Sequence, residues 1–260
     1  MSILDRLSIV AIYVLTAGLV LLVTEIGFRL GVWLRRRDPS FLQGSMPVAE
    51  VAGLLGLLGF LLAFSIGIAV NHFDTRRGLV VADANAIGTT YLRTSFLGEP
   101  ERTNARDLLR EYVDLRLTAL DAARLEDARR RSEEIHNQLW LIVEGQASQN
   151  QDGDTVKLFV DAVNHMFDTY GQRLAAVSSL RLRPLMWQVL YGTAVLTFFL
   201  VGLVSSADGK RNAVVWILLS LVLAAVLMLI ADLDRSQGGA LTVTQQALWD
   251  LHGQFAAPAP

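Results

Sequence analysis

Between Pro47 and Pro100 the chain contains no proline, and within that interval it passes from apolar to polar without a residue that forces a helix to stop. Residues 47–70 form an apolar run. A hydrocarbon core about 30 Å thick needs about 20 such residues in a helix. Residues 71–98 continue as a polar helix that Gly98-Glu99-Pro100 closes. A rod with one half in lipid and the other in water excludes most soluble folds. It also places every other segment relative to a membrane.

Three more apolar runs, at residues 8–34, 185–204 and 213–231, have spanning length. Mean hydropathy is +0.40, an average over long apolar runs and one polar block. The predicted fold is therefore all-α: an integral membrane protein with four transmembrane helices and a helical soluble block between spans two and three. Residues 1–70 carry spans one and two, 71–184 the soluble block, 185–235 spans three and four, and 236–260 a C-terminal tail. The first run is too long for a signal peptide, lacks a small-x-small cleavage pattern and is closed by Arg35-Arg36-Arg37, so it is read as retained. A net charge of −2 gives no case for nucleic acid. The absence of cysteine excludes disulfides, thiolate metal sites and thiol catalysis.

Four spans put both termini and the soluble block on one side. Positive charge does not decide which side. Arg35, Arg36, Arg37, Lys210 and Arg211 lie in the short loops, against Arg6, Arg76, Arg77, Arg181, Arg183 and Arg235 near the other span ends. Glu25 and Arg29, four apart, are expected to pair near the end of span one. Trp33, Trp187 and Trp216 are expected at the interfaces, and Asp232, Asp234 and Arg235 as interfacial anchors. In the soluble block one helix is predicted from about residue 101 to 144, striped by Leu109, Val113, Leu117 and Leu120. A polar loop follows at 146–153. A second helix from about 154 to 182 carries Phe159, Val163, Met166, Tyr170, Leu174 and Val177. Arg129-Arg130-Arg131 reads as a solvated face among acids, with lipid head groups as the other option. His72, His136, His165 and His252 lack metal-ligand spacing.

The central helix has two distinct faces at about 100° per residue. Phe73, Val80, Ala84, Ile87 and Tyr91 share an apolar face suited to packing on the soluble helices. The opposite face carries Asn71, Thr75, Gly78, Ala82, Asn85, Thr89 and Arg93, all but Arg93 small or uncharged. Continued into the bilayer, it carries Gly53, Leu57, Phe60, Phe64 and Gly67. Two readings are compatible with this edge. Copies around an axis would make a pore with an apolar collar at Phe60 and Phe64 and a polar vestibule beyond it. Alternatively Gly53, Gly56, Gly59, Ala63 and Gly67 let helices pack closely. Asp83, between the two faces, is expected to pair with Arg76, seven residues earlier, or to bear on selectivity.

The segment LLGLLGFLLAFSIGIAVNHFDTRRGLVVADANAIGTTYLRTSFLGEPERTNARDLLREYVDLR, with LDRSQGGALTVTQQALWDL after the last span, resembles the bestrophin-like family of prokaryotic membrane proteins. More distantly, Phe73-Asp74-x-Arg76 through Asn85 and Arg93 is similar to the stretch after the second span of bacterial bestrophins. The Trp-Trp pair found there is absent; Arg76-Arg77-Gly78 stands in its place, and no acidic cluster suggests a calcium clasp. The resemblance implies a homo-oligomeric channel, pentameric as in bestrophins. Its neck would be at Phe60 and Phe64, its lining at Leu57, Gly67, Asn71, Thr75, Gly78, Ala82, Asn85 and Thr89, and its helical block would be cytosolic at the inner membrane. Anions are the permeant class it implies. Partners are then membrane lipids and further copies of the chain. The other reading is a non-conducting membrane scaffold or sensor whose soluble helices bind a partner. No cofactor is expected. No enzyme is expected either, since the sequence holds no Gly-x-Ser-x-Gly, phosphate loop or His-Glu-x-x-His.

Overall fold

The computed structural model describes residues 7–38, 46–118, 124–149, 153–208, 211–235 and 239–256. Leu120, Arg6, Lys210 and residues 257–260, named above, lie outside these, as do residues 150–152 of the polar loop expected at 146–153; residues 146–149 of that loop are helical instead. The described residues are mostly helical, with no strand among them. Among the described residues eight α-helices follow in order: α1 (Ile9–Arg37), α2 (Met46–Arg93), α3 (Glu101–Thr118), α4 (Leu125–Gln149), α5 (Asp154–Ser179), α6 (Pro184–Ser205), α7 (Ala213–Asp234) and α8 (Gln246–Ala256). Helices α1, α2, α6 and α7 are each long and apolar enough to cross a membrane. The chain is thus an all-α protein with four spans, and α2 runs unbroken for 48 residues.

Two compact units divide the chain. One holds residues 1–73 and 180–242, the other residues 74–179 and 243–260. In the membrane unit α1 packs along α6 and α7. Ser8 caps α1 by accepting from the Ala11 N–H at 3.1 Å. Close approach of α1 and α6 depends on three glycines. A Cβ on Gly202 would stand 1.9 Å from the Thr24 carbonyl oxygen, and one on Gly27 2.1 Å from that of Phe199. Gly31 faces the Ser206 hydroxyl in the same way. Small residues four apart let membrane helices approach to backbone contact. The glycines of α2 (Gly53, Gly56, Gly59, Gly67) have nothing within 4 Å. Close packing within the chain therefore falls on Gly27, Gly31 and Gly202, not on the run noted in the sequence.

At the end of α7, Asp232 and Asp234 are buried against the chain. Asp232 accepts from the Ala240 and Leu241 N–H groups, each at 2.9 Å, and Asp234 from the Leu182 N–H at 2.6 Å. Arg235 donates to the Leu7 carbonyl. These carboxylates satisfy backbone donors where the chain enters α6 and leaves α7. Trp187 and Trp216 are likewise buried, Trp216 edge-on to Phe28 at 5.4 Å; of the three tryptophans expected at the interfaces, Trp33 is exposed. Glu25 does pair with Arg29, at 2.7 Å.

The second unit has its own core. Val80, Ala84 and Ile87 of α2 join Leu109, Tyr112 and Val113 of α3, Ile135 and Leu139 of α4, and Phe159, Val163 and Met166 of α5. Leu174 and Val177, expected to extend the α5 stripe, are exposed. The single helix expected from 101 to 144 is two, α3 and α4, packed on each other. Arg131 binds both carboxylate oxygens of Glu111, at 2.6 and 2.8 Å. In one straight helix those residues would lie about 30 Å apart. Arg129 and Arg130 pair with Glu126 and Asp127 one turn away, the solvated arrangement their spacing suggested.

Candidate functional site

The feature that distinguishes α2 is its bare edge. Only 11% of its most apolar window is buried against the chain, compared with 28%, 28% and 33% in the other spans. Leu58, Ser65 and Ala69 are buried on one side of the helix. On the other, Leu57, Phe60 (66% exposed), Phe64 (58% exposed) and Gly67 are exposed. The same edge continues through exposed Asn71, Thr75, Gly78, Asn85 and Thr89, with Ala82 half-buried. Because the helix is continuous, residues recurring at three and four positions stay on one side of it throughout. The edge changes chemistry along its length, from phenyl rings to amides, hydroxyls and glycine. Arg93 leaves the pattern, since its guanidinium reaches the Leu158 carbonyl.

In the second unit an open groove of about 440 Å³ runs beside this edge, between α2 and α8. Asn85 and Thr89 line it together with Asp250 and Gln254. Polar side chains on both walls make this stretch wettable. Helix α8 was not foreseen as part of the soluble unit. Leu248 and Leu251 enter the core, Phe255 stacks on Tyr91 with ring centroids 4.0 Å apart, and His252 meets Asp114 at 3.2 Å. Ala247, Leu248, Leu251 and Phe255 have helical spacing, which was the available signal.

Asp83 anchors the edge from behind. It is fully buried and pairs with Arg116 of α3 at 3.1 Å and Arg173 of α5 at 2.6 Å. These are the partners in place of the expected Arg76, which is itself buried. Both guanidiniums use Oδ2; Oδ1 is buried without a hydrogen bond. Arg173 also donates to the Gln245 side-chain oxygen at 2.7 Å, tying the start of α8 to the same cluster. Arg116 lies over the Tyr170 ring at 4.5 Å. Burial raises the hydroxyl pKa of both Tyr112 and Tyr170. Burial, assisted by Arg116, pushes the His136 imidazole down to about 4. His136 stacks on Phe167 and lies 3.1 Å from the Tyr112 hydroxyl. Asp83, Arg116 and Arg173 thus tie α2 to α3 and α5 on the buried side of α2.

A four-span, all-helical membrane protein with a helical insert after span two and a long bare second helix is the class defined by these features. The chain belongs to the bestrophin-like family: the bestrophin-like domain matches residues 14–248, nearly all of it. No curated protein and no solved structure matches the chain.

Proposed function

We propose that the chain is a subunit of a homo-oligomeric ion channel, with the bare edge of α2 facing a common axis. Phe60 and Phe64 form the apolar constriction. Leu57 and Gly67 line the path within the bilayer, and Asn71, Thr75, Gly78, Ala82, Asn85 and Thr89 line its aqueous continuation. Following the bestrophin likeness, the assembly is a pentamer in the inner membrane, the helical block is cytoplasmic, and anions permeate. The observation that carries this reading is the uncovered edge itself, greasy in the spanning stretch and wettable beyond it. Apolar rings gate by dewetting, and polar walls replace hydration. A further support is Leu92, 72% exposed. A neighbouring copy would cover it.

Conductance of purified protein in planar bilayers tests this. Phe60→Ala and Phe64→Ala should each raise single-channel conductance. Silent wild type and variants, or a monomeric mass in detergent, would refute the proposal.

A further inference from the structure

At the short-loop end of the membrane unit, one carboxylate serves two guanidiniums. Arg29 Nε and Arg211 Nη2 both donate to the same oxygen of Glu25, at 2.7 and 2.8 Å. The side chains of Arg29 and Arg211 are 72% and 56% exposed, that of Glu25 29%. Neither Nη group of Arg29 donates to any described residue, and Arg211 keeps Nε and Nη1 similarly uncommitted. Two forks thus stand side by side, half-used and turned outward. The cluster carries one unit of uncompensated positive charge.

Depth makes this charge consequential. Arg29 precedes Trp33 by four residues, about 6 Å along α1. Trp33 is exposed, with the Arg37 guanidinium 3.9 Å above its ring, as interfacial tryptophans sit. The head-group layer is itself several ångströms thick. Arg29, extending outward from its deeper attachment, therefore presents its fork at the level of lipid phosphates. Arg211 enters from the start of α7, with its guanidinium 5.3 Å over the Phe28 ring. Arg35 at the same end is spoken for, donating to the Ser206 carbonyl at 2.6 Å. Arg36 is exposed and adds to the positive field.

We infer that Arg29 and Arg211, held on Glu25, form a binding site for the phosphate of an anionic phospholipid. A phosphodiester whose head group bears no ammonium, as in phosphatidylglycerol, leaves one net negative charge, which balances the site. Its two free oxygens match guanidinium forks better than they match ammonium groups. The site is separate from the α2 edge and does not depend on conduction.

The test uses the full-length protein in nanodiscs, with bound lipid counted by native mass spectrometry. The nanodiscs are mixed phosphatidylglycerol and phosphatidylcholine. Wild type should retain phosphatidylglycerol with a preference of about fivefold per arginine. Arg29→Gln combined with Arg211→Gln should bring retention to parity. Glu25→Gln separates the site from a merely structural ion pair, because it should keep or strengthen the preference while breaking the same pairs. A third arm adds inorganic phosphate to phosphatidylcholine nanodiscs. If free phosphate raises the melting temperature as phosphatidylglycerol does, the source is soluble and the lipid assignment is wrong. Equal lipid retention by wild type and the double arginine variant, or loss of preference in Glu25→Gln, would also overturn it.

Discussion

Replacing Asp83 with asparagine should destabilise the soluble unit while preserving its shape. The carboxylate is fully buried, and the Arg116 and Arg173 side chains are 10% and 19% exposed. Asparagine fills the same volume and leaves two buried cations with no counter-charge. Breaking a buried pair by removing one partner costs about 3–5 kcal/mol. The Tyr170 ring 4.5 Å from Arg116 retains part of its stabilisation, which favours the lower end. About 3 kcal/mol in a unit of this size corresponds to a fall of about 10 °C in melting temperature. Thermal unfolding in detergent, followed by circular dichroism, measures it. Limited proteolysis of the soluble block should accelerate in parallel. Arg173→Gln alone leaves a balanced Asp83–Arg116 pair and should cost less. Added to Asp83→Asn, it removes one of the orphaned cations and should recover part of the loss, so the two changes are non-additive. If Asp83→Asn melts with wild type, the buried triad does not hold the helices together.

Other consequences are equally concrete. Gly202→Ala would put a methyl against backbone at Thr24, which cannot rotate away, so the membrane unit should lose about 1–3 kcal/mol in a thermal-shift assay; Gly53→Ala, with open space around it, should have little effect. Gly239→Ala would drive a Cβ to 2.1 Å from the Asp232 carboxylate and break its bonds to Ala240 and Leu241, with a loss of about 1–3 kcal/mol by the same assay. His136 is neutral in the fold, with a pKa near 4, while its unfolded counterpart titrates near 6.5. Between these values the unfolded chain binds the extra proton, so this stabilisation is complete above about pH 6.5 and is lost as pH falls towards 4. The expected loss is about 1–2 kcal/mol, discounted for the partial exposure of the ring. Melting curves of His136→Gln should be correspondingly flatter over that range; an unchanged slope would refute the assignment.

The spans and the length of α2 were legible because both depend on local signals, apolar run length and the absence of proline. The two faces of α2 followed from periodicity, and Val80, Ala84 and Ile87 do enter the core. What could not be read is where distant segments meet. The partners of Asp83 lie 33 and 90 residues away, and no spacing rule points to them. The reversal between α3 and α4 is invisible to periodicity, because both arms are amphipathic helices and only contacts such as Arg131–Glu111 show the fold-back. Glycine spacing was ambiguous for a related reason. Gly27 and Gly31 carry the same small-residue signature as the α2 glycines, and only the position of α6 decides which face is used. Nor does spacing show which backbone donors the acids at a span end meet.

The most direct test of the central claim exploits a chain without cysteine. Single cysteines at Leu57, Phe60, Phe64 and Gly67 on the bare edge, and at Leu58, Ser65 and Ala69 on the buried side, are compared for block of current by a charged thiol reagent. Block is expected at the first set and none at the second. Block at the buried side, or current indifferent to modification of every edge position, would contradict it.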